Sequence, residues 1–218
     1  MKVLKSLFKL ILIIVLLIFM IFAFSFGIVY YQTSRQNISY QDKIYKYADK
    51  YSVDPMLVAS IIKVESDFNN DAHSNQDAQG LMQLLDKTAR HSAELIGEDY
   101  YPDKLKEVDY NLDLGVGYFD YLYRYYNDTN LALAAYNGGI GNVDKWIEDG
   151  TIDSKNPDIT KIPIEETRQY VMKINATYDV FTSLYKDKLP SKEMMKSRRK
   201  LSIKNYKAFL ENIKADIF

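Results

Sequence analysis

One acidic residue interrupts the apolar face of a predicted helix. We expect this helix to begin at Asp54-Pro55, because aspartate caps helix starts and proline fits the first helical position. Apolar residues then recur at helical spacing, and Glu65 falls where the pattern calls for another one. A carboxyl group shielded from water has a raised pKa and can act as a general acid near neutral pH. A glutamate at the edge of the face, with its head group in water, is the alternative.

Four further motifs follow the one that contains Glu65. In this order and spacing they resemble the catalytic domain of the soluble lytic transglycosylases, a goose-lysozyme-like group that cleaves bacterial peptidoglycan. The resemblance covers roughly residues 40–185 and implies an enzyme with a mainly α, lysozyme-like fold. The motifs are Glu65-Ser66, Gly80-Leu81-Met82-Gln83, Asn111 to Tyr118, Ala135-Tyr136-Asn137-Gly138-Gly139, and Glu166 to Val171.

The resemblance implies roles for individual residues in the first half of the domain. Glu65 matches the catalytic glutamate of the family, and Ser74 matches a serine that holds the N-acetylmuramoyl residue through its acetamido group. Gly80 is expected to let the backbone approach the sugar. Met82 and Gln83 are expected to line the cleft near the glutamate.

Three later residues complete the site that the resemblance implies. Tyr136 matches a tyrosine whose hydroxyl lies close to the catalytic carboxyl, and Asn137 matches the adjacent residue of the cleft. Glu166 matches a second glutamate, on a late helix, that binds substrate and shapes the site.

Two positions depart from the family pattern. Asp77 stands where a glycine is common, and it either reshapes the loop or adds a carboxylate near the cleft. Asp86 stands where proline is usual, and we expect it to cap the next helix.

The resemblance implies non-hydrolytic cleavage between N-acetylmuramic acid and N-acetylglucosamine, with one glutamate acting first as acid and then as base. The nearest alternative is a hydrolase of goose-lysozyme type, which needs a second acid to hold water. Asp67, Asp71 and Asp77 are the candidates for that acid. A second alternative is a non-catalytic wall-binding module of a secretion or conjugation apparatus.

The apolar sequence near the N-terminus predicts a membrane anchor. Residues 10–29 carry no charge and form about 30 Å of helix, enough to cross a bilayer. Lys2, Lys5 and Lys9 precede them, which predicts a cytoplasmic N-terminus and an extracytoplasmic domain. A cleaved signal peptide is the alternative.

Helical periodicity dominates the rest of the chain, so we expect an all-α domain that follows one transmembrane helix. The formal net charge of −1 argues against a nucleic-acid partner. With no cysteine and only two histidines, His73 and His91, the sequence predicts no metal site and no cofactor. The basic tail is expected either to pack as a solvated helix or to contact anionic membrane or wall polymer. The predicted segments are an anchor at 1–31, a linker at 32–40, the catalytic domain at 41–186 and a basic helical tail at 187–218.

Overall fold

The structure is a computed structural model that describes residues 2–36, 38–186 and 188–217. Within these ranges it describes the side chains of all residues except 2–5, 212 and 215–217. Asn37, within the predicted linker, and Asp187, the first residue of the predicted tail, lie outside the described residues. The chain divides into two compact units. Ile38–Leu189 forms one of them, and the two ends of the chain form the other.

The described residues form ten α-helices and no β-strand, which confirms the prediction of a mainly α fold. Short 3-10 turns precede α5 and α8. The helices are α1 Lys2–Arg35, α2 Gln41–Tyr51, α3 Pro55–Ser66, α4 Asp86–Ile96, α5 Val108–Tyr126, α6 Thr129–Gly138, α7 Ile140–Glu148, α8 Glu165–Tyr185, α9 Lys192–Lys196 and α10 Arg198–Ile217.

Helix α3 carries Glu65 and packs against α2 and α8. Asp54 caps it as predicted: its carboxylate accepts a 2.7 Å hydrogen bond from the backbone N–H of Met56. Every residue from Met56 to Ile62 is buried, so the first two turns lie in the core. The helix ends where Asp67 adopts a left-handed conformation, which leaves Glu65 in its last turn.

The loop between α3 and α4 is held by one buried side chain on α5. Asn111 is fully buried, and its amide oxygen accepts a 2.8 Å hydrogen bond from the N–H of Met82. Its amide nitrogen donates to the carbonyl oxygens of Gln79 and Leu105, at 2.9 and 2.8 Å. Gly80 has a φ of +78°, and a Cβ there would lie 2.3 Å from the Asn111 amide nitrogen. The loop can therefore approach α5 only with glycine at this position.

Two glycines inside α5 permit close packing. A Cβ on Gly115 would lie 2.5 Å from the sulfur of Met82. A Cβ on Gly117 would lie 2.8 Å from a methyl carbon of Ile96 on α4. Helix α5 thereby contacts both the loop and α4 across surfaces that larger side chains would block.

The smaller unit pairs the first and last long helices of the chain. α1 continues to Arg35, so residues 32–35 of the segment 32–40 that we predicted as a linker are helical. The predicted basic tail forms α9 and α10, and α10 packs against α1. The buried Asn205 on α10 donates a 3.0 Å hydrogen bond to Thr33 on α1, and the ring of Tyr206 meets that of Phe26 edge-on at 5.2 Å.

Helix α1 is long and apolar enough to cross a bilayer. By length and composition alone, a membrane anchor and a signal sequence satisfy this test equally.

Candidate active site

A groove of about 380 Å³ contains Glu65 in the larger unit. It is formed by the C-terminal end of α3, the loop that follows, the start of α4, the end of α6 and the start of α8. Its lining residues are Glu65, Ser74, Asn75, Gln76, Ala78, Gln83, Leu84, Leu85, Thr88, Tyr136, Asn137 and Glu166.

The carboxyl group of Glu65 meets the hydroxyl of Tyr170. Tyr170 is buried on α8 and donates a 2.7 Å hydrogen bond to Oε1 of Glu65. Burial raises the pKa of Glu65 to about 7, although the hydrogen bond from Tyr170 acts in the opposite direction by stabilising the charged form. The carboxyl is therefore poised between its acid and base forms near neutral pH, as the apolar face of the helix predicted.

Tyr136 lines the groove together with Glu65, but its hydroxyl forms a hydrogen bond with the backbone of the loop. Its hydroxyl donates a 2.9 Å hydrogen bond to the carbonyl oxygen of Met82. Burial and the nearby Glu65 carboxylate raise the pKa of Tyr136 well above its usual value, so the phenol stays protonated. Tyr136 thus fixes the loop that carries Gln83 against the end of α6.

Ser74 and Gln83 face the groove from the loop, and both also support the loop itself. The Ser74 hydroxyl oxygen accepts hydrogen bonds from the N–H groups of Gln76 and Ala78, at 3.1 and 3.0 Å. Its own proton is then directed to another acceptor. The amide nitrogen of Gln83 donates to the carbonyl oxygens of Ala72 and Gly80, at 3.1 and 2.9 Å. Its amide oxygen is the group that can accept a bond from a ligand.

Asn137 and Glu166 both line the groove, and both are exposed. Gly138 ends α6 beside the first turn of α8. A Cβ on Gly138 would lie 2.9 Å from the hydroxyl oxygen of Thr167. The Gly-rich break in the sequence thus has a packing function beside the site.

Two of the predicted substrate-binding residues do not line the groove. Met82 is fully buried and packs against Gly115, and Gly80 faces Asn111 rather than open space. Both support the loop beneath the site in this structure, and their contact with substrate stays a prediction. The structure brings the other six predicted residues together around one cavity.

Sequence reasoning missed Tyr170 and Asn111 as contributors to the site. A signal for Tyr170 was available, because it follows Glu166 by four residues and so shares its face of α8. Asn111 opens one of the five motifs, but no local spacing connects it with the site. Its role depends on hydrogen bonds to a loop about 30 residues away in the sequence.

The additional acids of the loop are not among the residues that line the groove. Asp77 has a φ of +64°, which explains why glycine suits this position, and its side chain is 89% exposed. Asp67 pairs with Lys63, and Asp71 is exposed. Among the described residues that line the groove, carboxylates come only from Glu65 and Glu166.

A larger pocket of about 480 Å³ lies at the opposite end of α3. Its acidic lining residue is Asp54, which already caps α3 and accepts a 2.6 Å hydrogen bond from Tyr178. This carboxylate is engaged in structural contacts, so the smaller groove around Glu65 is the better candidate for chemistry.

Comparison with known proteins identifies the family. Residues 42–159, more than half of the chain, match the family described as Transglycosylase SLT domain. The chain belongs to the transglycosylase SLT domain family. The matched region of this SLT domain includes Glu65, Ser74, Gln83, Tyr136 and Asn137, and ends before α8.

Two relatives of this SLT domain are named as lytic murein transglycosylases. It is 31% identical over 165 residues to the soluble lytic murein transglycosylase of Salmonella typhimurium, covering 73% of this chain and 25% of that protein. It is 35% identical over 149 residues to membrane-bound lytic murein transglycosylase C of Photorhabdus laumondii, covering 58% of this chain and 42% of the relative. The chain thus spans about a quarter of the first relative and less than half of the second.

A solved structure shares the fold of this SLT domain. The crystal structure of the 70 kDa soluble lytic transglycosylase of Escherichia coli superposes with a TM-score of 0.65 at 27% identity, covering 72% of this chain and 26% of that one. The lysozyme-like helical fold predicted from the motifs is confirmed.

Proposed function

We propose that this protein is a peptidoglycan lytic transglycosylase that cleaves the β-1,4 bond between N-acetylmuramic acid and N-acetylglucosamine without consuming water. The observation that carries the proposal is the Glu65 carboxyl, whose pKa is raised to about 7 in a groove lined by Ser74, Gln83 and Glu166. The relatives named as lytic murein transglycosylases supply the substrate class.

In the first step, the protonated carboxyl of Glu65 donates its proton to the glycosidic oxygen as that oxygen leaves the anomeric carbon of the muramoyl residue. The 2-acetamido group of the same sugar attacks the anomeric carbon and forms an oxazolinium-like intermediate. We assign Ser74 to orienting that acetamido group; its position in the groove lining and the two loop N–H groups that its hydroxyl oxygen accepts from support this role.

In the second step, the Glu65 carboxylate acts as a base. It removes the proton from the 6-hydroxyl of the muramoyl residue, whose oxygen then attacks the anomeric carbon and displaces the acetamido group. The product is a 1,6-anhydro ring, and Glu65 regains its proton. Tyr170 supports this step because its hydrogen bond stabilises the carboxylate form of Glu65.

The position of the loop acids favours this reaction over hydrolysis. A goose-type hydrolase needs a second acid to hold the attacking water, and Asp67, Asp71 and Asp77 do not line the groove. Glu166 does line it, and we assign it to substrate binding at the mouth of the groove.

We further propose that α1 is a single-pass anchor with its N-terminus in the cytoplasm and the catalytic unit outside. The long apolar helix and the three lysines before residue 10 support this orientation. The name of the Photorhabdus relative, a membrane-bound enzyme, is consistent with it. Retention of the intact N-terminus by the mature protein in membranes would support an anchor, and its loss would establish a signal peptide.

Product analysis tests the reaction. Mass spectrometry of digested peptidoglycan should show saccharide ends one water lighter than reducing ends, and products with only reducing ends would establish a hydrolase. Glu65→Gln should abolish cleavage while retaining binding to peptidoglycan. Asp77→Asn is the matched control on the neighbouring loop and should leave cleavage intact.

A further inference from the structure

Helix α5 carries six of the 19 tyrosines of the chain, and the proposed reaction uses none of them. Tyr118, Tyr121 and Tyr125 are spaced by three and four residues, so they share one face of the helix. The end of this face at Tyr118 lies next to Tyr136, which lines the groove.

The rings on this face form a continuous series that begins inside the groove. The ring of Tyr136 lies 5.7 Å from that of Tyr118, which is stacked 6.3 Å from Tyr121. Tyr121 in turn lies 6.3 Å from Tyr125. His91 on α4 meets Tyr121 edge-on at 5.9 Å. Each distance is within the range of favourable aromatic contacts.

The outer part of this series is accessible to a ligand. Tyr118 is only 8% exposed, whereas Tyr125 is 54% exposed and the His91 side chain 47%. Thr88 lines the groove and precedes His91 by three residues on α4, so the His91 ring lies on the same face of α4 as this part of the groove wall. We call His91, Tyr121 and Tyr125 the aromatic strip.

The outer end of the aromatic strip is held in place by α7. The hydroxyls of Tyr125 and Tyr126 both donate to the carboxylate of Asp144, at 3.3 and 2.8 Å. Tyr126 also packs against Tyr125, with ring centroids 4.8 Å apart. A tyrosine fixed in this way presents a large surface with little conformational entropy left to lose on binding.

We propose that the aromatic strip is a second saccharide-binding surface, which extends the groove and holds sugars of the glycan strand beyond the bond that is cleaved. This inference rests on the proposed function. The substituents of β-1,4-linked N-acetylglucosamine and N-acetylmuramic acid are equatorial, so each ring face presents C–H groups to an aromatic ring. The continuity of the strip with Tyr136 makes a strand in the groove the occupant that fits it.

The length of the substrate tests this inference. The full-length protein in detergent is assayed on peptide-free glycan strands and on a peptide-free tetrasaccharide. For Tyr121→Ala/Tyr125→Ala, the ratio of kcat/KM on strands to kcat/KM on the tetrasaccharide should fall about tenfold, mainly through KM. Tyr123→Ala is the matched control: this tyrosine is 41% exposed on the same helix but lines the pocket at the other end of α3.

Conservative variants separate ring stacking from other effects. Tyr121→Phe/Tyr125→Phe keeps both rings and should retain most of the preference for long strands. An equal loss on strands and tetrasaccharide, or no loss on either, would overturn the inference. A dependence on strand length that appears only when stem peptides are attached would also overturn it, because the occupant would then be the peptide.

Binding measured without turnover keeps this test independent of the reaction. In a Glu65→Gln background, Tyr121→Ala/Tyr125→Ala should weaken binding of peptide-free strands about tenfold. If Glu65→Gln still cleaved glycan, the proposed function would fail, and the ratio of kcat/KM on strands to kcat/KM on the tetrasaccharide would still decide the role of the aromatic strip.

Discussion

Replacing Glu65 with glutamine should stabilise the protein above neutral pH. The folded state raises the pKa of Glu65 from 4.5 to about 7 because burial disfavours the charged carboxylate. Between these two values the folded protein keeps a proton that the unfolded chain has lost, so the free energy of unfolding falls as pH rises. Glu65→Gln removes this dependence because the amide does not ionise.

The magnitude follows from the two pKa values. Moving a carboxyl pKa from 4.5 to about 7 corresponds to about 3 kcal/mol. Glu65→Gln should therefore be close to wild type in stability at pH 4 and more stable by up to ~3 kcal/mol at pH 8. The hydrogen bond from Tyr170 survives the change, because the amide oxygen of glutamine can accept it.

Tryptophan fluorescence offers a direct assay. Trp146 is the single tryptophan of the chain and is 5% exposed on α7, so its emission reports the unfolding of the unit that contains Glu65. Urea titrations of the full-length protein in detergent, repeated from pH 4 to pH 8, give the difference in unfolding free energy between variant and wild type.

Glu166→Gln is the control in the same groove. Its side chain is exposed to water, so the substitution should change stability little. The reasoning is refuted if the stability difference for Glu65→Gln is independent of pH, because burial of the carboxyl would then carry no cost on ionisation.

Three further substitutions test the surroundings of the site. Tyr170→Phe removes a hydrogen bond that lowers the pKa of Glu65, so the alkaline limb of the pH–activity profile should move to higher pH. Tyr178→Phe is the control: it loses a hydrogen bond to Asp54 and should leave the profile in place. Asn111→Ala removes the side-chain partners of the Met82 N–H and the Leu105 carbonyl oxygen, whereas the Gln79 carbonyl still accepts from the N–H of Leu84, so it should cost about 2 kcal/mol or more in urea unfolding. Asp77→Gly relieves a left-handed backbone and should raise stability by up to about 1 kcal/mol without changing the cleavage products.

Local sequence signals predicted the helix that carries Glu65, because its determinants lie close together in the chain. The Asp54 cap and the apolar spacing on α3 are both present in the structure. The prediction for Asp86 was wrong. α4 begins at Asp86 itself without a side-chain cap, and this carboxylate instead accepts a hydrogen bond from Tyr100, a residue that follows the helix.

Residues whose role depends on distant contacts were harder to assign. The sequence places Gly80 and Met82 in a motif that borders the cleft, but it does not indicate which way each residue faces. Their orientation is fixed by Asn111 and Gly115 on α5, which meet them across the core. At Asp77 the departure from the family pattern coincides with a left-handed backbone conformation. The side chain of Asp77 is exposed and does not line the groove.

A single carboxyl that serves as both acid and base needs a pKa near the pH at which it works. Burial alone would raise the pKa of Glu65 further and make its carboxylate scarce in the second step of the proposed reaction. The Tyr170 hydrogen bond opposes this rise. Tyr170 lies 105 residues further along the chain, on a helix packed against α3. The apolar face of α3 shields the carboxyl, and the packing of α8 on α3 sets how firmly Glu65 holds its proton.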